Sequence, residues 1–336
     1  MMLSDIVPCR GSRLALGLVL AGVVSLAAGC AALESRGRFQ SDDYIVYQLP
    51  RTSSSEALAK RFLDDPRRAW VIEEANPATA FQAGNTVIIP LEDDNRAGLF
   101  REGYQAVPIL SYHRIGPNCQ SALCVSEKAF RAQLDHLRDN DYRVITLEEL
   151  HTFLSYERAI PLRSVVITID DGYRSAYDVA YPLLREYGYP ATLFVYTDFV
   201  GQTPRSLTWD QLRTMKAAGF EIGSHTVSHA DLTRRPAEEP DDAYQARIGR
   251  ELTLSKEILD RELDQETRFL AYPYSRYDRR ILEAAQAAGY RLGLTLERGA
   301  NPFFMNPMAL KRNQVLAEDL DHFRSRIATL YPVTLE

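Results

Sequence analysis

Seven short apolar runs punctuate the chain from Tyr104 onward: "AVPILSYH", "RVITL", "SVVITID", "PATLFVY", "FEIGSH", "RFLAYPY" and "YRLGLTL". Most are nearly continuous in apolar residues, as strands buried on both faces are. Between them, residues 126–140, 147–156, 175–187, 208–218, 243–263 and 279–288 read as amphipathic helices. This alternation predicts an α/β fold on a parallel sheet, either open or closed into a barrel. In barrels of this kind the chemistry gathers at the C-terminal ends of the strands.

Ahead of this region, residues 44–91 form a separate pattern of strand, helix, helix and strand. "YIVYQL" alternates, "SSSEALAKRFL" opens with a serine cap, "AWVIEEAN" reads as a second short helix and "NTVIIP" as a closing strand. The charged stretch 92–103 is expected to be a linker to the domain at 104–336. The extreme N-terminus has another character. Arg10 and Arg13 precede an apolar stretch over 14–28, shorter than the ~20 residues a membrane-spanning helix needs, and it ends in "SLAAGC". A positive end, an apolar middle and small residues predict a secretory signal over 1–29, with 30–43 as a polar linker.

The 336 residues carry a net charge of −6 and no basic block, which excludes a nucleic-acid partner. There are four cysteines. Cys9 falls within the signal and Cys30 directly after it. Cys119 and Cys124 remain, and an oxidising compartment permits a disulfide between them. The alternative is two free thiols in a loop.

The apolar runs end on residues that can do chemistry. The first ends on His113, the third on Asp170 and Asp171, the fifth on His225 with His229 four residues on, and the sixth on Tyr274. Asp-Asp-Gly also suits a turn followed by a helix cap. A helix starting near Ser224 would turn both histidines one way. Two histidines and one carboxylate are a common catalytic metal set, and a second carboxylate can serve as general base.

"TIDDGY", "SHTVSH" and "AYPYSRYD" resemble the first three motifs of the polysaccharide deacetylases, carbohydrate esterase family 4. "ILSYHRIG" before them and "GYRLGLTLERG" after them are similar to the branch acting on poly-N-acetylglucosamine. The resemblance implies a distorted (β/α)7 barrel and a divalent metal, Zn2+ or a similar ion, held by Asp171, His225 and His229. It also implies Asp170 as base, Tyr274 lending a backbone N–H to an oxyanion, and Tyr272 and Pro273 at the substrate. The fourth and fifth motifs have no match, and His322, in an expected helix, is no substitute for the missing acid. His113 is the candidate for that role. Ala271 stands where many members have an arginine, so Asp170 must be oriented from elsewhere. Ser275 replaces a usual glycine.

Two further resemblances bear on location. "SLAAGC" is similar to a bacterial lipobox, which implies lipidation of Cys30. Ala31 after it implies the outer membrane, on the periplasmic face of the cell envelope. Residues 44–91 resemble a LysM module, of the kind that binds N-acetylglucosamine chains, although Arg51 to Ser53 replaces the usual Gly-Asp-Thr. The expected activity is removal of N-acetyl groups from an N-acetylhexosamine polymer. The alternatives are a glycan-binding lipoprotein with an impaired barrel and an O-acetyl polysaccharide esterase.

Overall fold

The computed structural model describes residues 38–92, 95–117, 119, 121–316 and 320–333. The signal segment, Cys30 and most of the linker expected over 30–43 lie outside the described residues. The chain divides after Glu92 into two compact units. Among the described residues no helix is long and apolar enough to cross a membrane.

In the first unit, β1 (Arg38–Gln40), β2 (Tyr44–Gln48) and β3 (Thr86–Pro90) form an antiparallel sheet in that order. Helices α1 (Ser55–Phe62) and α2 (Ala69–Ala75) connect β2 to β3. Alternation along β2 buries Ile45 and Tyr47, which pack with Leu58, Ile72, Val87 and Ile89. The Ser54 hydroxyl caps α1 by accepting the Ala57 N–H. Asn76 fastens α2 to β3: its side-chain amide donates to the Ile72 and Ile88 carbonyls, and its oxygen accepts the Ile88 N–H. The expected strand-helix-helix-strand order is present with one addition. β1 falls in the stretch read as linker and pairs with the edge of β2, Arg38 opposite Tyr47.

The second unit is built on a curled sheet. The unit's strands are β4 (Leu99–Phe100), β5 (Gly103–Tyr112), β6 (Arg114–Gly116), β7 (Cys124–Ser126), β8 (Arg143–Val144), β9 (Ser164–Asp171), β10 (Thr192–Val195), β11 (Glu221–Ser224), β12 (Phe269–Ala271), β13 (Leu292–Leu294), β14 (Ala300–Pro302), β15 (Asn313–Gln314) and β16 (Leu330–Pro332), of which β6 and β7 form a separate pair. The parallel neighbours run β13-β12-β11-β10-β9-β5, and β15 joins β5 in parallel as a seventh. A single parallel bridge between Leu294 and Leu310 ties the last strand to the segment entering β15. This is the expected distorted (β/α)7 arrangement. β4, β14 and β16, which the apolar pattern does not reveal, lie antiparallel along β5.

Helices α3 (Glu127–Asp139), α4 (Leu147–Leu154), α5 (Tyr181–Tyr187), α6 (Trp209–Ala217), α7 (Asp241–Leu263), α8 (Arg279–Ala287) and α9 (Leu320–Arg324) complete the unit. The stretch before α5 begins as a π-turn over Ala176–Ala180. Strand alternation separates two cores. Val107, Ile109, Val166, Phe194, Ala271 and Leu294 pack inside the curl. Leu110, Ile167, Ile169, Leu193 and Ile222 pack against Phe130, Leu184, Leu212 and Met215 on the helices. All eight residues of β9 are buried, which explains why only the small Ser164 and Thr168 interrupt its apolar sequence before the two terminal aspartates.

Candidate active site

Asp170 and Asp171 are the last residues of β9, and the pleat divides their tasks. Asp170 follows Val166 and Thr168 in alternation, on the face that packs inside the curl. Asp171 has a left-handed backbone, φ 74°, that ends the strand and turns its carboxylate toward two histidines.

His225 follows β11. Its Nδ1–H donates to the Ala271 carbonyl at 2.7 Å, which fixes the tautomer and leaves Nε2 as a bare lone pair. That Nε2 lies 3.6 Å from Asp171 Oδ1, and His229 Nε2 lies 3.4 Å from the same oxygen. The helix expected near Ser224 is absent: the stretch is a loop, with φ 70° at Thr226 and 60° at His229. The two turns still bring the imidazoles edge to face, 4.7 Å between centroids. Glu251 on α7 pins this loop, its carboxylate accepting the N–H groups of Val227 and Ser228 and the Ser228 hydroxyl.

Asp171, His225 and His229 bring their ligand atoms within 4.8 Å of one another, the one such cluster found among the described residues. Tetrahedral bonds of about 2.1 Å would separate neighbouring donors by about 3.4 Å. The observed spacings therefore fit a divalent ion, as does a donor set of two neutral imidazoles and a carboxylate. Burial, opposed by the Asp170 charge, brings His225 down to about 4, so it is neutral at ordinary pH and can ligate. Burial would raise Asp171; a hydrogen bond from His229 and the charges of His225 and His113 outweigh it and hold the carboxyl low.

Asp170 is oriented by a residue the sequence reading missed. Arg312, fully buried, donates from Nη1 to Asp170 Oδ1 at 2.7 Å and to the Thr168 hydroxyl at 3.1 Å. Its Nε donates to the Thr295 carbonyl, and the guanidinium lies 5.6 Å from the Phe194 ring centroid. The Ser111 hydroxyl lies 3.3 Å from the other Asp170 oxygen. Burial alone would raise Asp170; the charge of Arg312, then of His225 and His113, brings it down to about 2. The arginine missing at Ala271 is thus replaced from the segment that closes the curl.

His113 is the residue after Tyr112, which pairs with Ile169, so it arrives beside Asp170. It is buried, close enough for its charge to act on both aspartates, and its Nδ1 has no hydrogen-bond partner among the described residues. Tyr274 is exposed; its hydroxyl lies 3.1 Å from His229 Nδ1 and its ring packs edge-on against that imidazole. Ser275, in glycine's usual place, adopts φ 56°, and its hydroxyl accepts the Leu296 N–H. Asp171, Thr226, His229, Tyr274 and Ser275 are five of the nine non-glycine residues with positive φ among the described residues. Backbone strain is thereby concentrated at this site.

Tyr272 and Pro273, expected at the substrate, lie in the turn after β12. Both are buried, and the Tyr272 hydroxyl donates inward to the Met308 carbonyl at 3.0 Å. A Cβ on Gly293 would stand 2.3 Å from that hydroxyl, so a glycine there makes room for the ring. His322 lies on α9 with Nε2 against Arg326, as expected outside the site. Cys119 and Cys124 form a disulfide in the loop after His113. A cavity of about 630 Å3, ample for sugar units, opens over His229 and Tyr274.

Comparison with known proteins points the same way. The polysaccharide deacetylase family profile matches residues 158–293, which hold both aspartates, both histidines and the Pro273 turn. YxkH of Bacillus subtilis (strain 168), named for that family, is 34% identical over 224 residues, covering 67% of this chain and 76% of its own. The poly-beta-1,6-N-acetyl-D-glucosamine N-deacetylase of Staphylococcus aureus (strain MRSA252) is 29% identical over 209 residues, 60% of this chain and 71% of its own. Among solved structures, the Streptococcus pyogenes deacetylase PplD in complex with acetate aligns with TM-score 0.60 at 29% identity, over 66% of this chain and 98% of that one. With the same fold, and with the paired aspartates and spaced histidines inside the matched segment, the chain belongs to the polysaccharide deacetylase family.

Proposed function

We propose that this polysaccharide deacetylase removes N-acetyl groups from an N-acetylglucosamine-containing polymer at the cell envelope, using a divalent ion. The observation that carries the reading is the meeting of Asp171, His225 and His229 beside a separately held carboxylate, Asp170. Asp171, His225 and His229 would hold the ion, Zn2+ by the chemistry of the donors, and it would supply Lewis-acid polarisation of the acetamide carbonyl and a lowered pKa for water. Asp170, kept ionised by Arg312, takes the proton of the attacking water. The Tyr274 N–H helps hold the developing oxyanion. His113 delivers a proton to the departing nitrogen, giving acetate and a free amine.

The other parts support the setting. A lipidated Cys30 would tether the chain to the periplasmic face of the outer membrane. Residues 44–91, as a LysM-like module, would hold glycan for the deacetylase domain that follows, whose sheet takes in β4 from the stretch 92–103 expected as linker. The substrate class is suggested by the Staphylococcus aureus relative, whose name gives poly-beta-1,6-N-acetyl-D-glucosamine.

Acetate release from defined glycans, run with metal analysis of the same sample, tests the reading. Metal-dependent acetate release from N-acetylglucosamine oligomers is expected. Release from O-acetylated sugars alone would make the protein an esterase, and glycan binding without turnover would make it a binding protein.

A further inference from the structure

A second cavity, of about 490 Å3, opens among the loops that follow β5, β9 and β10. No step above uses it. Tyr173 and Phe199 form part of its wall, edge to face at 5.5 Å between centroids. The Arg114 guanidinium lies 5.4 Å from the centre of the Tyr173 ring, and Arg205 stands exposed on the loop opposite. Arg174, also at this wall, is neutralised by Asp178 at 3.0 Å. Neither Arg114 nor Arg205 has an ion-pair partner among the described residues. The cavity therefore joins an aromatic surface to two uncompensated guanidinium groups.

The walls are fixed. The Arg174 N–H donates to the Arg205 carbonyl at 2.7 Å, and the Leu207 N–H to the Gly172 carbonyl at 2.9 Å. Arg114 starts β6, whose pairing with β7 sets it opposite the disulfide-bonded Cys124. The cavity also adjoins the reaction site. Tyr173 is two residues from Asp171. Phe199 stacks on Tyr196 at 5.0 Å, and the Tyr196 ring lies 5.2 Å from that of His229.

Aromatic rings offer apolar area to the C–H face of a sugar, and a guanidinium fork matches a carboxylate or phosphate. We propose that this cavity is a subsite for a negatively charged sugar, a uronate or a sugar phosphate, neighbouring the N-acetylhexosamine on the polymer. The enzyme then prefers an anionic heteropolymer to a neutral homopolymer. This inference rests on the deacetylase reading and narrows its substrate.

The test uses three soluble tetrasaccharides. One is all N-acetylglucosamine, one alternates N-acetylglucosamine with glucuronate, and one is the first carrying 3-phosphates on alternate sugars. The measured quantity is kcat/KM for acetate release on each anionic oligomer divided by that on the neutral one. At least one ratio is expected above one, falling about tenfold (1.4 kcal/mol) in Arg114→Gln/Arg205→Gln, falling less in the exposed single variant Arg205→Gln, and mostly kept in Arg205→Lys. The arm that responds separates a carboxylate from a phosphate. Ratios at or below one, or ratios unmoved by the double variant, overturn the subsite while acetate release from the neutral oligomer leaves the deacetylase reading standing. Should no oligomer release acetate, that reading fails, and calorimetric binding of the same oligomers decides the subsite. Anionic binding lost in the double variant supports it, and equal binding overturns it.

Discussion

Arg312 reaches Asp170 across 142 residues of chain, and the pair is shut away from solvent on both sides. Its consequence is an aspartate that stays ionised despite burial. Replacing Arg312 with Met leaves a buried carboxylate without its partner, at a cost of about 3–5 kcal/mol. The sign for activity follows from the same balance. With the arginine charge gone, burial raises Asp170, so the base protonates at higher pH and the acid limb of kcat/KM moves upward. Arg312→Lys restores the charge without the fork and recovers part of the loss. Activity measured against pH, alongside metal content and thermal unfolding, checks this. A variant that loses stability while its acid limb stays in place would reduce Arg312 to a packing role.

Asp171, His225 and His229 each offer one ligand atom to one point. Substituting any of them with Ala is expected to remove bound metal and acetate release together, with no other large change in fold. Stripping the ion from the unmodified protein should act in the same way and reversibly. At an ion concentration a hundredfold above its Kd, readdition stabilises by about 2.7 kcal/mol, seen as a rise in Tm. Full metal occupancy in any one of the three variants contradicts the ligand assignment.

Glu251 touches none of the ligands, yet it holds the backbone between them. Glu251→Ala frees the Val227 and Ser228 N–H groups and lets the two left-handed turns relax. Metal affinity should fall about 10–100-fold, as it does when supporting groups around a metal site are lost. Competition against a chelator measures it. An affinity equal to that of the unmodified protein would show that the loop holds its shape without the carboxylate.

The disulfide between Cys119 and Cys124 closes a short loop directly after His113. Loop-closure entropy for a ring of this size gives about 2 kcal/mol. Thiol labelling of the native, unreduced protein should find neither cysteine, and Cys119→Ser/Cys124→Ser should unfold earlier by about that amount. Ready labelling of both would leave β6 and β7 held by backbone pairing alone.

The sequence exposes the site where chemistry interrupts a pattern. Asp170 and Asp171 stand out because two charges end a strand that is otherwise uncharged and mostly apolar, and His225 and His229 because they follow one. Arg312 gives no such signal. It sits in "LKRNQV", beside Lys311, where a cation reads as surface, and its partner is remote in the chain. Two- and three-residue strands such as β14 and β15 are equally silent, since they exist only through pairing with β5. Spacing also misled: histidines four positions apart suggested a helix, whereas positive φ at Thr226 and His229 achieves the convergence in a loop. Tyr272 lay inside a recognisable motif, yet motif membership does not reveal which way a side chain points, and it points to Met308.

His113 directly follows β5, the strand next to β9, is buried, and has an Nδ1 with no hydrogen-bond partner among the described residues. If it protonates the departing nitrogen, its worth depends on how much help the leaving group needs. An amine leaving from an acetamide needs a proton; an aryl oxide does not. His113→Ala should therefore lower kcat on N-acetylglucosamine oligomers by about 10²–10⁴-fold and on activated aryl acetates far less. Metal content should stay at the level of the unmodified protein, which separates this effect from loss of the ion. Comparing the two substrate classes on one preparation makes the measurement independent of the fraction of active enzyme. Equal losses on both classes would move His113 from proton donor to a residue that positions Asp170 or the substrate, and the acid would have to be sought elsewhere.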